Sequence, residues 1–127
     1  MIYHWDGATW STSVNLGALY SLWGSGPTDV FAVGANGTIV HYNGVTWSPM
    51  ISGTTSQLVA VGGTGPNDVF AGGTGGLLLH YDGTDWTPLR PPTSADLTHI
   101  QGRPEGVYVL DVTGKVMLLE RSQLPWP

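Results

Sequence analysis

Three histidines recur in one sequence context and are the first candidates for a chemical site. His4, His41 and His80 each open a segment of the form His, aromatic residue, Asp or Asn, Gly, two further residues and Trp. Three imidazoles can ligate zinc. Evenly spaced copies of one segment are, however, typical of a repeated structural unit, whose equivalent side chains lie apart from one another. We therefore interpret the histidines as parts of the repeat and predict no metal site.

Two aspartates are the candidates for general acid or base chemistry. Asp29 and Asp68 occupy the same place in two copies, each two residues after a Gly-Pro pair. This shared turn context favours a role in capping a loop. The chain has no cysteine, and no Ser/His/Asp order, phosphate loop or supported pair of catalytic carboxylates is present. We predict no catalytic residue, no cofactor and no enzymatic activity.

Aromatic side chains next to Asp or Asn are the best candidates for ligand binding. Sugars present apolar C–H faces and hydroxyl groups, so a pocket suited to them combines an aromatic ring with polar groups. Each intact copy of the repeat supplies both kinds of residue. The alternative is that the aromatic rings only fill the core between repeats. The predicted ligand-binding residues are Trp10, Trp47, Trp86, Asp6, Asn43, Asp82, Tyr42 and Tyr81.

Composition limits the class of protein. The chain has 127 residues, which suits one domain, and charged residues make up only 10% of it, whereas it contains 19 glycines and 9 prolines. The formal net charge is −5 and no basic run occurs, so we do not expect nucleic acid as a partner. No stretch approaches the roughly 18 consecutive apolar residues of a membrane span.

The repeat itself predicts the secondary structure. Trp10, Trp47 and Trp86 are 37 and 39 residues apart, which gives a repeat of about 38 residues. Each full copy contains four short apolar runs that are too short for helices and are separated by turn residues. In the first full copy these runs are Leu19 to Trp23, Val30 to Val33, Thr38 to Tyr42 and Thr46 to Met50. Each repeat is therefore predicted to be a four-stranded antiparallel meander.

The turns between the runs have residue pairs with known preferences. Asn36-Gly37 and Gly75-Gly76 accept positive φ, and Asn43-Gly44, Asp82-Gly83 and Asp6-Gly7 are typical type I′ hairpin pairs.

Apolar residues on both faces of each meander predict how the meanders pack. Sheets that are apolar on both sides must be covered on both sides, and radial stacking of four-stranded sheets achieves this in a β-propeller. A β-sandwich is the main alternative, but it gives no reason for a four-strand unit to recur. We predict an all-β chain forming one propeller domain. Its segments are a half blade of outer strands (1–18), two blades (19–57 and 58–96) and a divergent blade (97–127).

Three and a half repeats raise the question of ring closure. Propellers have at least four blades, and naked blade faces invite association. We expect two chains to form a homodimeric ring of six or seven blades, in which one N-terminal half copy completes a blade begun by the other chain. The alternative is a piece of a longer repeat protein.

Two stretches carry a resemblance to known families. DVFAVGANGTIVHYNGVTW (29–47) and DVFAGGTGGLLLHYDGTDW (68–86) resemble the repeats of bacterial β-propellers and of fucose-binding propeller lectins of the Photorhabdus and Psathyrella type. The D-G-x-x-W turn is also similar to a shortened sialidase Asp-box. The repeats are shorter than those of the lectins, and the third copy has Leu118, Arg121 and Leu124 at the His, Gly and Trp positions.

The resemblance implies a propeller that binds glycans or other ligands of a cell or matrix surface. The function predicted from the sequence is therefore a carbohydrate-binding module, with a structural or protein-interaction scaffold as the alternative.

Overall fold

A computed structural model describes residues 3–5, 7–12, 17–89 and 93–121 of the chain. These residues form antiparallel β-sheets and contain no α-helix. The first sheet is a hairpin of β1 (Tyr3–Trp5) and β2 (Trp10–Thr12). The first blade consists of β3 (Leu19–Gly26), β4 (Asp29–Gly34), β5 (Ile39–Tyr42) and β6 (Trp47–Met50). The second blade consists of β7 (Leu58–Gly65), β8 (Asp68–Gly73), β9 (Leu78–Tyr81) and β10 (Trp86–Leu89). The third blade consists of β11 (Leu97–Arg103), β12 (Gly106–Asp111) and β13 (Val116–Glu120).

Each blade is a meander in which every strand pairs with the next one along the chain. The first two blades have four strands each, in the order of the four apolar runs of the repeat. The prediction of an all-β chain of four-stranded antiparallel sheets is confirmed. In the third blade three strands are described, and Leu124, which holds the Trp position of the predicted fourth strand, lies outside the described residues.

The second blade is buried on both of its faces. Val69, Ala71 and Leu79 point towards the first blade, where they pack with Phe31 and Ile39. The alternate residues of the same strands point the other way, because successive side chains of a strand lie on opposite faces. A second apolar cluster therefore joins the second blade to the third, and it consists of Phe70, Leu78, Leu89, Leu97, Val107, Val109, Met117 and Leu119.

Glycine lets the inner strands of adjacent blades approach each other closely. A Cβ atom on Gly102 of β11 would lie 2.6 Å from the carbonyl carbon of Gly63 in β7, and one on Gly62 would lie 2.7 Å from the carbonyl oxygen of Ile100. No side chain fits at such distances. The glycines of these strands therefore set how tightly the blades come together.

Two prolines mark the outermost strands. Pro49 in β6 pairs with Val40, and Pro88 in β10 pairs with Leu79. Proline has no N–H to donate, so it is tolerated on an edge strand and discourages the addition of a further strand there.

In the first two blades a left-handed turn lies between the second and third strands. Asn36 has φ 59° and Gly37 has φ 70°, and the N–H of Thr38 donates to the carbonyl of Ala35. Gly75 and Gly76 repeat this geometry with φ 70° and 77°. Positive φ at both central residues is the signature of a type I′ turn. The prediction that these two pairs adopt positive φ is confirmed.

The prediction of type I′ turns at Asn43-Gly44 and Asp82-Gly83 is wrong. Only the glycine has positive φ in each pair. The chain instead forms a four-residue loop, because the side-chain oxygen of Asn43 accepts hydrogen bonds from the N–H groups of Val45 and Thr46 at 2.9 and 3.0 Å. Asp6, of the Asp6-Gly7 pair, lies outside the described residues.

The turn of the second blade supplies a matched pair of substitutions. Both glycines have positive φ, but a Cβ on Gly75 meets nothing within 4 Å, whereas one on Gly76 would lie 2.4 Å from the carbonyl oxygen of Thr93. We expect Gly75→Asn, which copies Asn36 of the first blade, to change the unfolding free energy by less than about 0.5 kcal/mol. Gly76→Ala should destabilise the chain by about 2 kcal/mol or more, because strain and a backbone clash combine. Urea titration of both variants measures the difference, and equal losses would contradict the turn geometry.

Candidate functional site

A carboxylate at the start of β4 links β4 to its two neighbouring strands, β3 and β5. Asp29 lies beside His41 of β5, and His41 Nε2 is 2.6 Å from Asp29 Oδ1. Because an ionised carboxylate can only accept hydrogen bonds, Nε2 is the donor. Ser25, near the end of β3, donates its hydroxyl hydrogen to the other carboxylate oxygen. The strand register explains the contact. Phe31 of β4 pairs directly with His41, and Asp29, two residues before Phe31, lies on the same face of the sheet.

The second blade repeats this arrangement and adds a cation to it. His80 Nε2 lies 2.8 Å from Asp68 Oδ1, and the Thr64 hydroxyl donates to Oδ2. Arg121, which follows the last strand of the third blade, binds the same carboxylate with both terminal nitrogens; Nη1 lies 3.1 Å from Oδ1. Arg121 Nε also donates to the carbonyl oxygen of Pro104 at 2.9 Å. The second and third blades are thus tied by an ion pair.

The geometry of these groups differs from that of a nucleophilic triad. A catalytic serine donates to an imidazole, which then removes its proton. In this protein the hydroxyl and the imidazole both donate to the carboxylate, so the imidazole Nε2 faces Asp29 and not Ser25. The hydroxyl therefore does not face the imidazole, and the hydrogen bonds of the three groups connect neighbouring strands.

The hydrogen bond between each aspartate and its histidine is not among the predictions from sequence, which place the histidines in the repeat and the aspartates in loop capping. The signal was present in the spacing. Each aspartate precedes its histidine by twelve residues and follows a Ser or Thr by four, as in Ser25, Asp29 and His41. The third copy has Gly106 and Leu118 at the Asp and His positions, and it supplies Arg121 to the second blade instead.

The surroundings of Asp68 lower the pKa of its carboxyl group. Burial by itself raises the pKa of this carboxyl, but hydrogen bonds from Arg121, Thr64 and His80 outweigh burial and lower the pKa from 3.8 to about 2. Asp68 therefore remains ionised over the whole neutral and mildly acidic range.

The aromatic candidates of the second blade lie between blades. Tyr81 and Trp86 stack on each other with ring centroids 5.1 Å apart, and they contact Phe31 of the first blade at 5.7 and 6.2 Å. The Tyr81 hydroxyl donates to the carbonyl oxygen of Gly83. Burial, followed by the negative charges of Asp82, Asp29 and Asp85, raises the pKa of Tyr81. Trp86 Nε1 is buried and has no hydrogen-bond partner among the described residues.

The equivalent pair, Tyr42 and Trp47, lies on the face of the first blade that points away from the second blade. Tyr42 and Trp47 are 5.2 Å apart and half-buried. Trp47 and Ala32 border a shallow groove whose other walls come from β3, including Tyr20 and Leu22. This groove is a mainly apolar concave surface beside Trp47, one of the predicted ligand-binding residues.

The predicted polar ligand contacts are engaged within their own loops. Asn43 Oδ1 accepts the two backbone hydrogen bonds described above, and Asp82 Oδ1 accepts equivalent bonds from Thr84 and Asp85 at 2.8 and 2.9 Å. These backbone hydrogen bonds lower the pKa of Asp82. Asp6 lies outside the described residues, and for Trp10 the structure gives only its backbone pairing with Trp5 in the hairpin. Binding of a ligand by these eight residues stays a prediction.

Residues 3–5, 7–12, 17–89 and 93–121 contain no cluster of three or more His, Asp or Glu side chains suited to a metal ion. Within the same ranges, no helix has the length and apolar character needed to span a bilayer.

Comparison with known proteins identifies the fold. No family model matches the sequence, and no curated protein matches it either. Among solved structures, the chain is similar to YCF48 bound to a D1 peptide, with a TM-score of 0.68 and 20% sequence identity over 80% of this chain and 36% of that one. YCF48 is a β-propeller. The chain has a β-propeller fold. The propeller prediction is confirmed, whereas the finer resemblance to lectins has no support from these matches.

The ion pair between blades can be tested by its dependence on pH. The folded pKa of Asp68 lies below its value of 3.8 in the unfolded chain, so the stabilisation is complete above that value and is lost as the pH falls towards 2. We expect Arg121→Ala to lower the unfolding free energy at pH 7 by about 1–2 kcal/mol and to flatten the loss of stability between pH 4 and 2.

Arg103→Ala is the matched control, because it removes the same charge from an exposed side chain of the same blade. Urea titrations across this pH range compare the two variants. A pH dependence of Arg121→Ala that equals that of the unsubstituted chain would show that Arg121 does not hold the carboxylate.

Proposed function

We propose that this protein is a non-enzymatic propeller scaffold that binds other proteins. One observation carries the proposal: the polar and aromatic groups of the repeat motif are engaged in building the blades. His41 and His80 bind aspartates, Asn43 and Asp82 bind their own loops, and Trp86 packs across a blade interface. Side chains used in this way explain why the motif recurs in every intact repeat without invoking a ligand.

The fold comparison supports a protein partner as the ligand class. The similar YCF48 structure is described as bound to a D1 peptide, and a propeller can therefore present a polypeptide-binding surface. This chain spans 36% of that chain at 20% identity, so the partner and its binding surface are not carried over. Glycan binding, the first choice from sequence, gains no support from the comparisons.

Two parallel binding screens test the class of ligand. The folded chain is applied to a glycan array and to a library of displayed random peptides, with heat-unfolded chain as the control in both. We expect peptides to be enriched by the folded chain alone and the glycan array to stay blank. A glycan retained by the folded chain, with no peptide enriched, would replace the scaffold by a lectin.

The structural role of the tryptophan pair gives a second test. Because Trp86 contacts Phe31 across a blade interface, Trp86→Ala should cost about 3 kcal/mol of stability. Trp47→Ala removes the same ring from the face of the first blade that points away from the second blade, and it should lower the stability by less. Guanidinium titration measures both. Equal, small losses together with a lost glycan signal would indicate that the tryptophans bind sugar instead.

A further inference from the structure

The carboxylate of Asp68 uses all of its capacity for hydrogen bonds. An ionised carboxylate can accept about four hydrogen bonds, two on each oxygen. Asp68 Oδ1 accepts one from His80 Nε2 and one from Arg121 Nη1. Asp68 Oδ2 accepts one from the Thr64 hydroxyl and one from Arg121 Nη2. The guanidinium group of the third blade thus occupies one position on each oxygen.

The carboxylate of Asp29 has the same two donors from its own blade but no guanidinium. His41 Nε2 donates to Oδ1 and the Ser25 hydroxyl donates to Oδ2, as in the second blade. Among the described residues these are its only hydrogen-bond donors, and no lysine or arginine forms an ion pair with it. The two positions that Arg121 occupies on Asp68 are therefore not used at Asp29 by the described part of the chain.

One residue of the loop after β9 explains the difference. His80 and Leu118 are equivalent, because each pairs with the third residue of the preceding strand. Arg121 comes three residues after Leu118, and Gly83 comes three residues after His80. Gly83 has no side chain that could reach the carboxylate of the first blade. Its φ is +101°, and a Cβ atom there would lie 2.6 Å from a side-chain oxygen of the preceding turn, so this loop position favours glycine.

The site at Asp29 is accessible from solvent. The side chain of His41 is 27% exposed, whereas that of His80 is 5% exposed. Asp29 is on the same face of its blade as Phe31, which packs against the second blade. The site therefore lies at an interface between blades that the described chain itself forms.

The surroundings of Asp29 favour a planar cation. Burial, and then the negative charges of Asp82, Asp29 and Asp85, raise the pKa of Tyr81, so three carboxylates lie around this ring. The Tyr81 ring also stacks on Trp86. Guanidinium groups are attracted both to carboxylates and to aromatic faces.

We propose that Asp29, His41 and Ser25 form a binding site for the guanidinium group of an arginine on a partner polypeptide, in the way that Asp68 binds Arg121. Arginine fits this site better than lysine does, because two of its N–H groups bind both carboxylate oxygens at once, whereas an ammonium group is a point charge. The polypeptide as the source of the guanidinium rests on the proposed function, and the site itself rests on the geometry of the two blades.

NMR titration of the isotope-labelled 127-residue chain tests the site. The probe is N-acetyl-arginine N-methylamide, and the corresponding lysine compound is the comparison. We expect the arginine probe to shift the signals of the Asp29 amide and the His41 imidazole in a saturable way, and the lysine probe to bind at least about fivefold more weakly. The signals of Asp68 and His80 should not move, because Arg121 already binds that carboxylate.

Asp29→Asn and Asp85→Asn separate this site from a general attraction of cations. Each variant removes one negative charge near Tyr81, but only the first removes the carboxylate that His41 and Ser25 contact. We expect Asp29→Asn to weaken binding of the arginine probe by about tenfold or more, and Asp85→Asn to weaken it by less than about twofold. The signals that shift in the unsubstituted chain locate the site by themselves, so the test holds even where Asp29→Asn does not fold.

Three results would overturn the site. They are the absence of saturable shifts at Asp29 and His41, equal binding of the arginine and lysine probes, and equal weakening by the two variants. The last two results would indicate attraction to the negative charge of the surface alone.

The peptide screen separates failure of the site from failure of the proposed function. We expect the enriched peptides to contain an arginine whose replacement by citrulline, which is neutral and similar in shape, abolishes their binding to the folded chain. Enriched peptides that bind without arginine would overturn this inference and leave the protein-binding scaffold intact. Saturable binding of the arginine probe without any enriched peptide would contradict the polypeptide partner and indicate a small guanidinium compound as the ligand.

Discussion

The rest of the structure depends on the burial of both faces of the second blade. A four-stranded sheet with apolar residues at successive positions must be covered on both faces, because alternate residues of each strand point to opposite faces. Val69 and Phe70 are adjacent in β8, and both are fully buried because a different blade covers each of them. A repeat that encodes two apolar faces thus encodes stacking, and the propeller follows from it.

Polar groups also connect the stacked sheets. Asp68 accepts hydrogen bonds from Thr64 and His80 of its own blade and from Arg121 of the next. A carboxylate that accepts hydrogen bonds from three donors connects these segments firmly, since hydrogen bonds to charged groups are stronger than those between neutral groups. In each of the first two blades a carboxylate and an imidazole thus lie at a contact between neighbouring strands.

Equivalent positions of the repeat differ in exposure between the second blade and the blades on either side of it. Leu78 is buried between blades, and the equivalent Val116 is exposed at the last described blade. Leu22 differs from Val61 in the same way.

Sequence and tertiary structure each determined a separate part of this protein. The period of about 38 residues, the four strands of each full blade and the positive φ at Asn36-Gly37 could be predicted, since strand length, side-chain alternation and glycine preference are local properties. The loop at Asn43-Gly44 could not, because its form depends on whether the Asn side chain binds the backbone ahead of it. The pairing of Asp68 with His80 and with Arg121, 53 residues further along the chain, depends on which strands and blades become neighbours. That choice is made by packing between distant segments, so only the tertiary structure shows that these aspartates and histidines lie at contacts between strands and, for Asp68, between blades.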